Sequence, residues 1–290
     1  MIPQGEDEYP PPFDLIFVLL ISSLAIVGQY LSTIMLFLLT GKESLSIVGM
    51  GMVLGYGTAM LLAATGIQPP PEAWLGFVPA PRVAWLTAAL LTPVAMIASE
   101  LDNVIKALAS LPPPEETPNP SGFESLELAM LLVVITPAVY EIFYRGVLQP
   151  ALVRQIGAAG GIGVLAAISG LAWAVIAAGG ASGAEFLAMF AQSASLALVL
   201  SLLRHCSGSL WPCLALNASI GAISWLASHS AFGIPGFDDI SAAHTPLVWL
   251  APAAASVGIG LGLCRAMVAQ VGSAEGERRR EQSESKENGE

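Results

Sequence analysis

Long apolar stretches, separated by short polar or proline-rich breaks, fill almost the whole chain. Leu15–Leu39 holds no formal charge and predicts a helix able to cross a hydrocarbon core of about 30 Å with some tilt. Ser44–Gly66 predicts a second span, with Gly51 and Gly55 at the small-xxx-small spacing that lets helices approach closely. Pro69, Pro70 and Pro71 break the chain, and Leu75-Gly76-Phe77-Val78-Pro79 leads into a third span from about Val83, running past Glu100 and Asp102 toward Lys106. A polar, proline-rich loop from Pro112 to Pro120 separates it from a fourth helix, Glu124 to Val153. Further spans are predicted near Gly161–Ala178, Phe186–Leu203, Leu210–Ser228 and Pro246–Met267.

The pattern predicts an all-α, polytopic membrane protein of about eight transmembrane helices. Its expected parts are an N-terminal tail (1–12), N-terminal spans with the proline-rich loop (13–120), a core (121–230), an external loop with the last span (231–271) and a charged tail (272–290). Lacking large apolar residues, that tail is expected to be disordered.

Composition agrees. Of 290 residues 54% are hydrophobic and only 11% charged, against roughly 25% charged in soluble domains. The net charge of −11 argues against nucleic acid as a partner. The acidic, proline-rich N-terminus is unlike the basic start of a cleavable signal peptide. With eight spans, Arg82, Arg154, Arg204, Arg265 and the basic residues of the tail share one side with the N-terminus, whereas Lys42 and Lys106 face the other. Both termini are therefore expected to be cytoplasmic. Cys206, Cys213 and Cys264 lack paired spacing and read as apolar fillers. Gln29, Glu185 and Gln192 read as hydrogen-bond partners between helices, and Gly258, Gly260 and Gly262 as tight helix packing. Trp74, Trp85, Trp211 and Trp249 fall where interfacial aromatic belts are expected. No paired metal-ligand spacing supports a site built from His229, His244 and Asp238, and His205 reads as a helix-end residue.

The chemistry concentrates in Tyr140-Glu141-Ile142-Phe143-Tyr144-Arg145-Gly146-Val147-Leu148-Gln149-Pro150. Glu141 and Arg145 stand four residues apart, on one helix face, inside an apolar stretch. Charges at membrane depth are costly and mark candidate functional sites. From the residues alone, a structural ion pair and a catalytic pair both stay open.

This run resembles the first motif, Glu-Glu-x-x-x-Arg, of the CPBP family of intramembrane metalloproteases (the CAAX-protease and bacteriocin-processing group, also called Abi), with Tyr140 at the first Glu. Ser169-Gly170-Leu171-Ala172-Trp173-Ala174-Val175-Ile176-Ala177 is similar to the frame of the second motif, with Trp173 at its aromatic position and Ala177 at its His. Gly208-Ser209-Leu210-Trp211-Pro212 matches the lead-in to the third motif, His-x-x-x-Asn, whose two positions hold Asn217 and Gly221. The resemblance implies a CAAX-protease-like helical bundle in which Glu and His residues organise a metal or an activated water and the Asn stabilises an oxyanion.

All three motifs are altered here. Glu141 and Arg145 remain as the candidate catalytic remnant, and Tyr140, Trp173 and Asn217 as candidate binding residues. No metal ligand set and no cofactor are expected. Zinc or another divalent metal belongs only to the alternative, an active but atypical metalloendopeptidase using Glu141. The reading is a pseudoprotease of a bacterial inner membrane, in contact with the lipid bilayer and binding a peptide, a lipidated peptide or a membrane-protein partner. A transporter-like protein is a third reading, without repeats or paired broken helices to support it. If the backbone frame is intact, restoring Glu, His, His and Asn at positions 140, 177, 217 and 221 is expected to rebuild a metal site.

Overall fold

The computed structural model describes residues 13–42, 44–65, 75–111, 122–177, 182–238 and 244–287, with the side chains at 176–177 and beyond 270 left out. The N-terminal tail, Trp74, the Pro112–Pro120 loop and the side chain of Ala177 lie outside the described residues.

α1 (Leu15–Thr40) begins where the Asp14 carboxylate accepts from the Phe17 N–H, and ends at Gly41, whose φ of 64° suits a residue without a Cβ. α2 (Leu45–Ala64) returns against it. The glycines explain the closeness of this hairpin. A Cβ on Gly55 would overlap the backbone of Gly28 and Gln29, and one on Gly51 would overlap Thr33. α3 (Arg82–Leu91) and α4 (Val94–Leu108) are one apolar stretch interrupted at Pro93, which has no N–H for the helix ladder.

The next stretch, Gly122–Val175, is helical except at Ile156 and Gly157 and is too long for one crossing at about 1.5 Å per residue. It comprises α5 (Gly122–Ala129), a π-helical segment (Met130–Ile135), α6 (Thr136–Tyr140), a second π-helical segment (Glu141–Leu148) and α7 (Gln149–Ala177). The chain reverses inside α7. Gly157 has φ 77° and ψ 166°, a conformation essentially reserved for glycine. Beyond it Gly161 packs on the backbone of Leu152 and Val153, and the Trp173 ring returns to within 6.1 Å of Tyr140. The stretch is thus a two-limbed hairpin turning next to Arg154.

α8 (Gly183–Ser207) opens with a reciprocal capping box between Ser182 and Glu185 and closes at Gly208, φ 64°. α9 (Trp211–Ala227) starts with Pro212 in its first turn, where no N–H is needed. α10 runs from Leu247 to Glu287.

Among the described residues six stretches are long and apolar enough to cross a membrane, and α9 is a shorter apolar helix. Two cores hold the bundle. One gathers α1, α2, α6, the second π segment and α7 around Tyr56, Phe143 and Tyr144; the other gathers α3, α4, α8, α9 and α10 around Leu91, Leu203 and Leu216. The protein is a polytopic helical membrane protein.

Three expectations need correction. Glu185 is not a partner between spans; its carboxylate caps its own helix. Among the α10 glycines, close packing holds for Gly260, against Leu91, whereas Gly258 and Gly262 face open space. The tail, expected to be disordered, continues α10 as far as Glu287. A helix already nucleated by the preceding span extends at low cost, and Glu275/Arg279 and Arg280/Glu284 have the i,i+4 spacing that supports it.

Candidate functional site

The site grows from Pro137. In the first π segment the bonds skip to i→i+5, and the Thr136 N–H donates to Leu131. In the same register the Leu132 carbonyl would receive the N–H of residue 137, which is proline and has none. That carbonyl lies against Gly221 of α9, so close that a Cβ on Gly221 would overlap it. One turn further on, the wider π geometry carries Glu141 and Arg145 into the bundle, where they are 0% and 2% exposed.

Their contacts form a ladder. Arg145 Nη1 lies 3.3 Å from Glu141 Oε1. Asn217 Nδ2 on α9 donates to the same oxygen at 2.7 Å. Arg145 Nη2 donates to the Ala197 carbonyl of α8 at 3.0 Å, and Gln149 Nε2 donates to the Ser201 carbonyl at 2.8 Å. Residues 141, 145 and 149 thereby stitch one helix face to two neighbouring helices. Glu141 Oε2 and Arg145 Nε have no partner.

Tyr140 points elsewhere. Its ring packs on Tyr56 of α2 at 5.1 Å and edge-on to Trp173 at 6.1 Å. Tyr56 also meets Phe143 at 5.1 Å, and its hydroxyl lies 3.0 Å from that of Tyr144. The Tyr140 hydroxyl is buried and unpartnered. Of the residues singled out from sequence, then, Glu141, Arg145 and Asn217 come together, while Tyr140 and Trp173 meet in an adjoining aromatic cluster. Gly221 is sealed by Leu132. The sequence reading missed Gln149 and Tyr56. Gln149 had a signal, lying four residues beyond Arg145 on the same face; Tyr56 had none.

His229, His244 and Asp238 do not converge. His229 Nε2 and Ser125 Oγ are 2.9 Å apart, and its Nδ1 lies 2.8 Å from the Trp225 carbonyl. The Asp238 carboxylate accepts from the N–H groups of Phe232, Gly233 and Ile234. His244 Nδ1 lies 2.8 Å from Glu100 Oε1. Among the described residues no three His, Cys, Asp or Glu groups are placed to hold a metal ion together.

The donor set does not fit the metal that the resemblance implies. A catalytic zinc needs three protein ligands and an open position. Among the motif positions, Glu141 Oε2 is a buried carboxylate oxygen without a hydrogen-bond partner. Ala177 and Gly221 carry no donor atom. Asn217 already spends an amide N–H on Glu141, and an amide is an unusual zinc ligand. An Asn side chain at position 221 would have to displace the Leu132 backbone.

The family model described as type II CAAX prenyl endopeptidase Rce1-like matches residues 122–223. That segment runs from the start of α5 into α9 and contains every motif position considered above. No curated protein and no solved structure matches the chain. Over residues 122–223, this membrane protein is thus similar to the type II CAAX prenyl endopeptidase Rce1-like family.

Proposed function

We propose that this chain is a pseudoprotease: a membrane protein that keeps the CAAX-protease-like bundle without its hydrolysis and uses it to bind a peptide, a lipidated peptide or a membrane-protein partner. The observation that carries the reading is the contact of Leu132 with Gly221. Where the family motif has an oxyanion-stabilising Asn, a main-chain carbonyl takes up the space. A carbonyl is a hydrogen-bond acceptor and repels a developing oxyanion rather than stabilising it. Peptide hydrolysis also needs a base or metal with access to water. Glu141 is fully buried, and its Oε1 is engaged by both Arg145 and Asn217. In this reading the retained Glu–Arg pair holds helices together, and Tyr140 and Trp173 line the surface that a ligand's apolar part would meet. The chain crosses the membrane eight times, counting the two limbs of the 122–177 hairpin and α9, with both termini cytoplasmic.

One observation favours the alternative, an atypical endopeptidase: Glu141 Oε2 is buried without a hydrogen-bond partner, so one oxygen of the carboxylate is still available. The test that separates the readings is metal analysis of the purified full chain, combined with a cleavage assay on prenylated and unmodified peptides. The pseudoprotease reading expects no stoichiometric metal and no cleavage. Stoichiometric zinc that disappears in Glu141→Ala, together with turnover, would replace it with the alternative.

A further inference from the structure

At one end of the bundle, the last turns of α1, the turn into α2 and the start of α5 enclose an open groove of about 620 Å³, within the roughly 300–1,000 Å³ common for small-ligand sites. It is lined by the apolar side chains of Ile34, Phe37, Val48 and Phe123 and by the charged residues Lys42, Glu124 and Glu127. Glu124 and Glu127 are i,i+3 on α5 and so share a face. Glu127 is held in position by Ser46, whose hydroxyl donates to its Oε1. Phe123, the residue before this pair, is 72% exposed. The groove lies on the α5 side of the first π segment, away from the Glu141 ladder, and nothing in its argument depends on whether hydrolysis survives.

The sequence of chemistries around the groove selects an occupant. The apolar walls suit an acyl chain. Lys42 suits a phosphodiester. The paired carboxylates suit a cation that can donate hydrogen bonds. Among the described lining residues, an anionic headgroup would meet two carboxylates against one ammonium. A choline headgroup has no N–H to offer them. From this juxtaposition we infer that the groove between the α1–α2 turn and α5 is a binding site for a phospholipid with a primary-amine headgroup, of the phosphatidylethanolamine class. The acyl chain lies along Ile34, Phe37 and Val48, the phosphate meets Lys42, and the ammonium bridges Glu124 and Glu127.

The test uses the full chain in nanodiscs and native mass spectrometry. Phosphatidylethanolamine, phosphatidylcholine and phosphatidylglycerol with identical acyl chains compete for retention. Retention of the ethanolamine lipid is expected to exceed the other two about tenfold, the size of one charge-assisted hydrogen bond. The paired substitution Glu124→Gln with Glu127→Gln should abolish that preference, and Lys42→Gln should weaken the ethanolamine and choline lipids alike. A photoactivatable phosphatidylethanolamine on the unsubstituted protein should label the α1–α2 turn and the segment around Phe123. Equal retention of the three lipids, a preference for phosphatidylglycerol, or a preference that survives the paired substitution overturns the inference. So does labelling elsewhere, or a peptide rather than a lipid carried by the protein as isolated. Should the paired variant not fold, the labelling of the unsubstituted protein decides alone.

Discussion

The two oxygens of Glu141 have unequal fates. Oε1 takes both the Arg145 guanidinium and the Asn217 amide, while Oε2 meets nothing. On the proposed reading the carboxylate is an anchor for a cation that itself reaches the Ala197 carbonyl. Removing it leaves Arg145 charged and unpaired at 2% exposure. Glu141→Ala should cost about 3–5 kcal/mol, whereas Glu141→Gln, which can still accept from Asn217, should cost less. Thermal melting of both variants in the same detergent checks the order. An Ala variant that melts with the parent would remove the structural role. The pair itself was legible in the sequence, because two charges four residues apart in an apolar run have few other ways to be tolerated. The sealing of Gly221 was not. Its meaning depends on the backbone of another helix, and on a proline whose missing N–H acts five residues upstream.

At the level of elements, the apolar runs located the spans well, because hydrocarbon requires every backbone group to be satisfied within a helix. Leu15–Leu39 became Leu15–Thr40, and Phe186–Leu203 became Gly183–Ser207. The π-helical segments left no local trace, since Met130–Ile135 reads as an ordinary apolar helix. The reversal between the predicted fourth and fifth helices falls at Gly157, after Arg154. Its φ and ψ exclude a side chain at little cost, so Gly157→Ala should destabilise by about 1–3 kcal/mol. The loss should appear as a lower melting temperature and as increased protease cutting near Arg154. Unchanged stability would mean that the turn relaxes into a conformation open to alanine.

For the whole molecule, the Lys and Arg distribution sets the expected orientation, and the proposed count is even when both limbs of the hairpin and α9 each cross. Reporter fusions at the two termini should both report the cytoplasmic side. A report of opposite sides would mean that one apolar helix, with the short α9 the first to suspect, does not cross. The orientation also decides which leaflet supplies the groove beside Lys42 with lipid.

The rungs at 141, 145 and 149 also limit how this bundle can move. Arg145 and Gln149 meet the carbonyls of Ala197 and Ser201, each pair four residues apart, so the two helices engage like a rack with matching teeth. A slip along the axis by half a turn, about 2.7 Å, would carry both donors away from their carbonyls at once. Small axial adjustments are thus penalised at every rung together, while a sideways hinge of the α1–α2 pair disturbs none of them. Such a hinge would instead part Tyr56 from Tyr140, Phe143 and Tyr144.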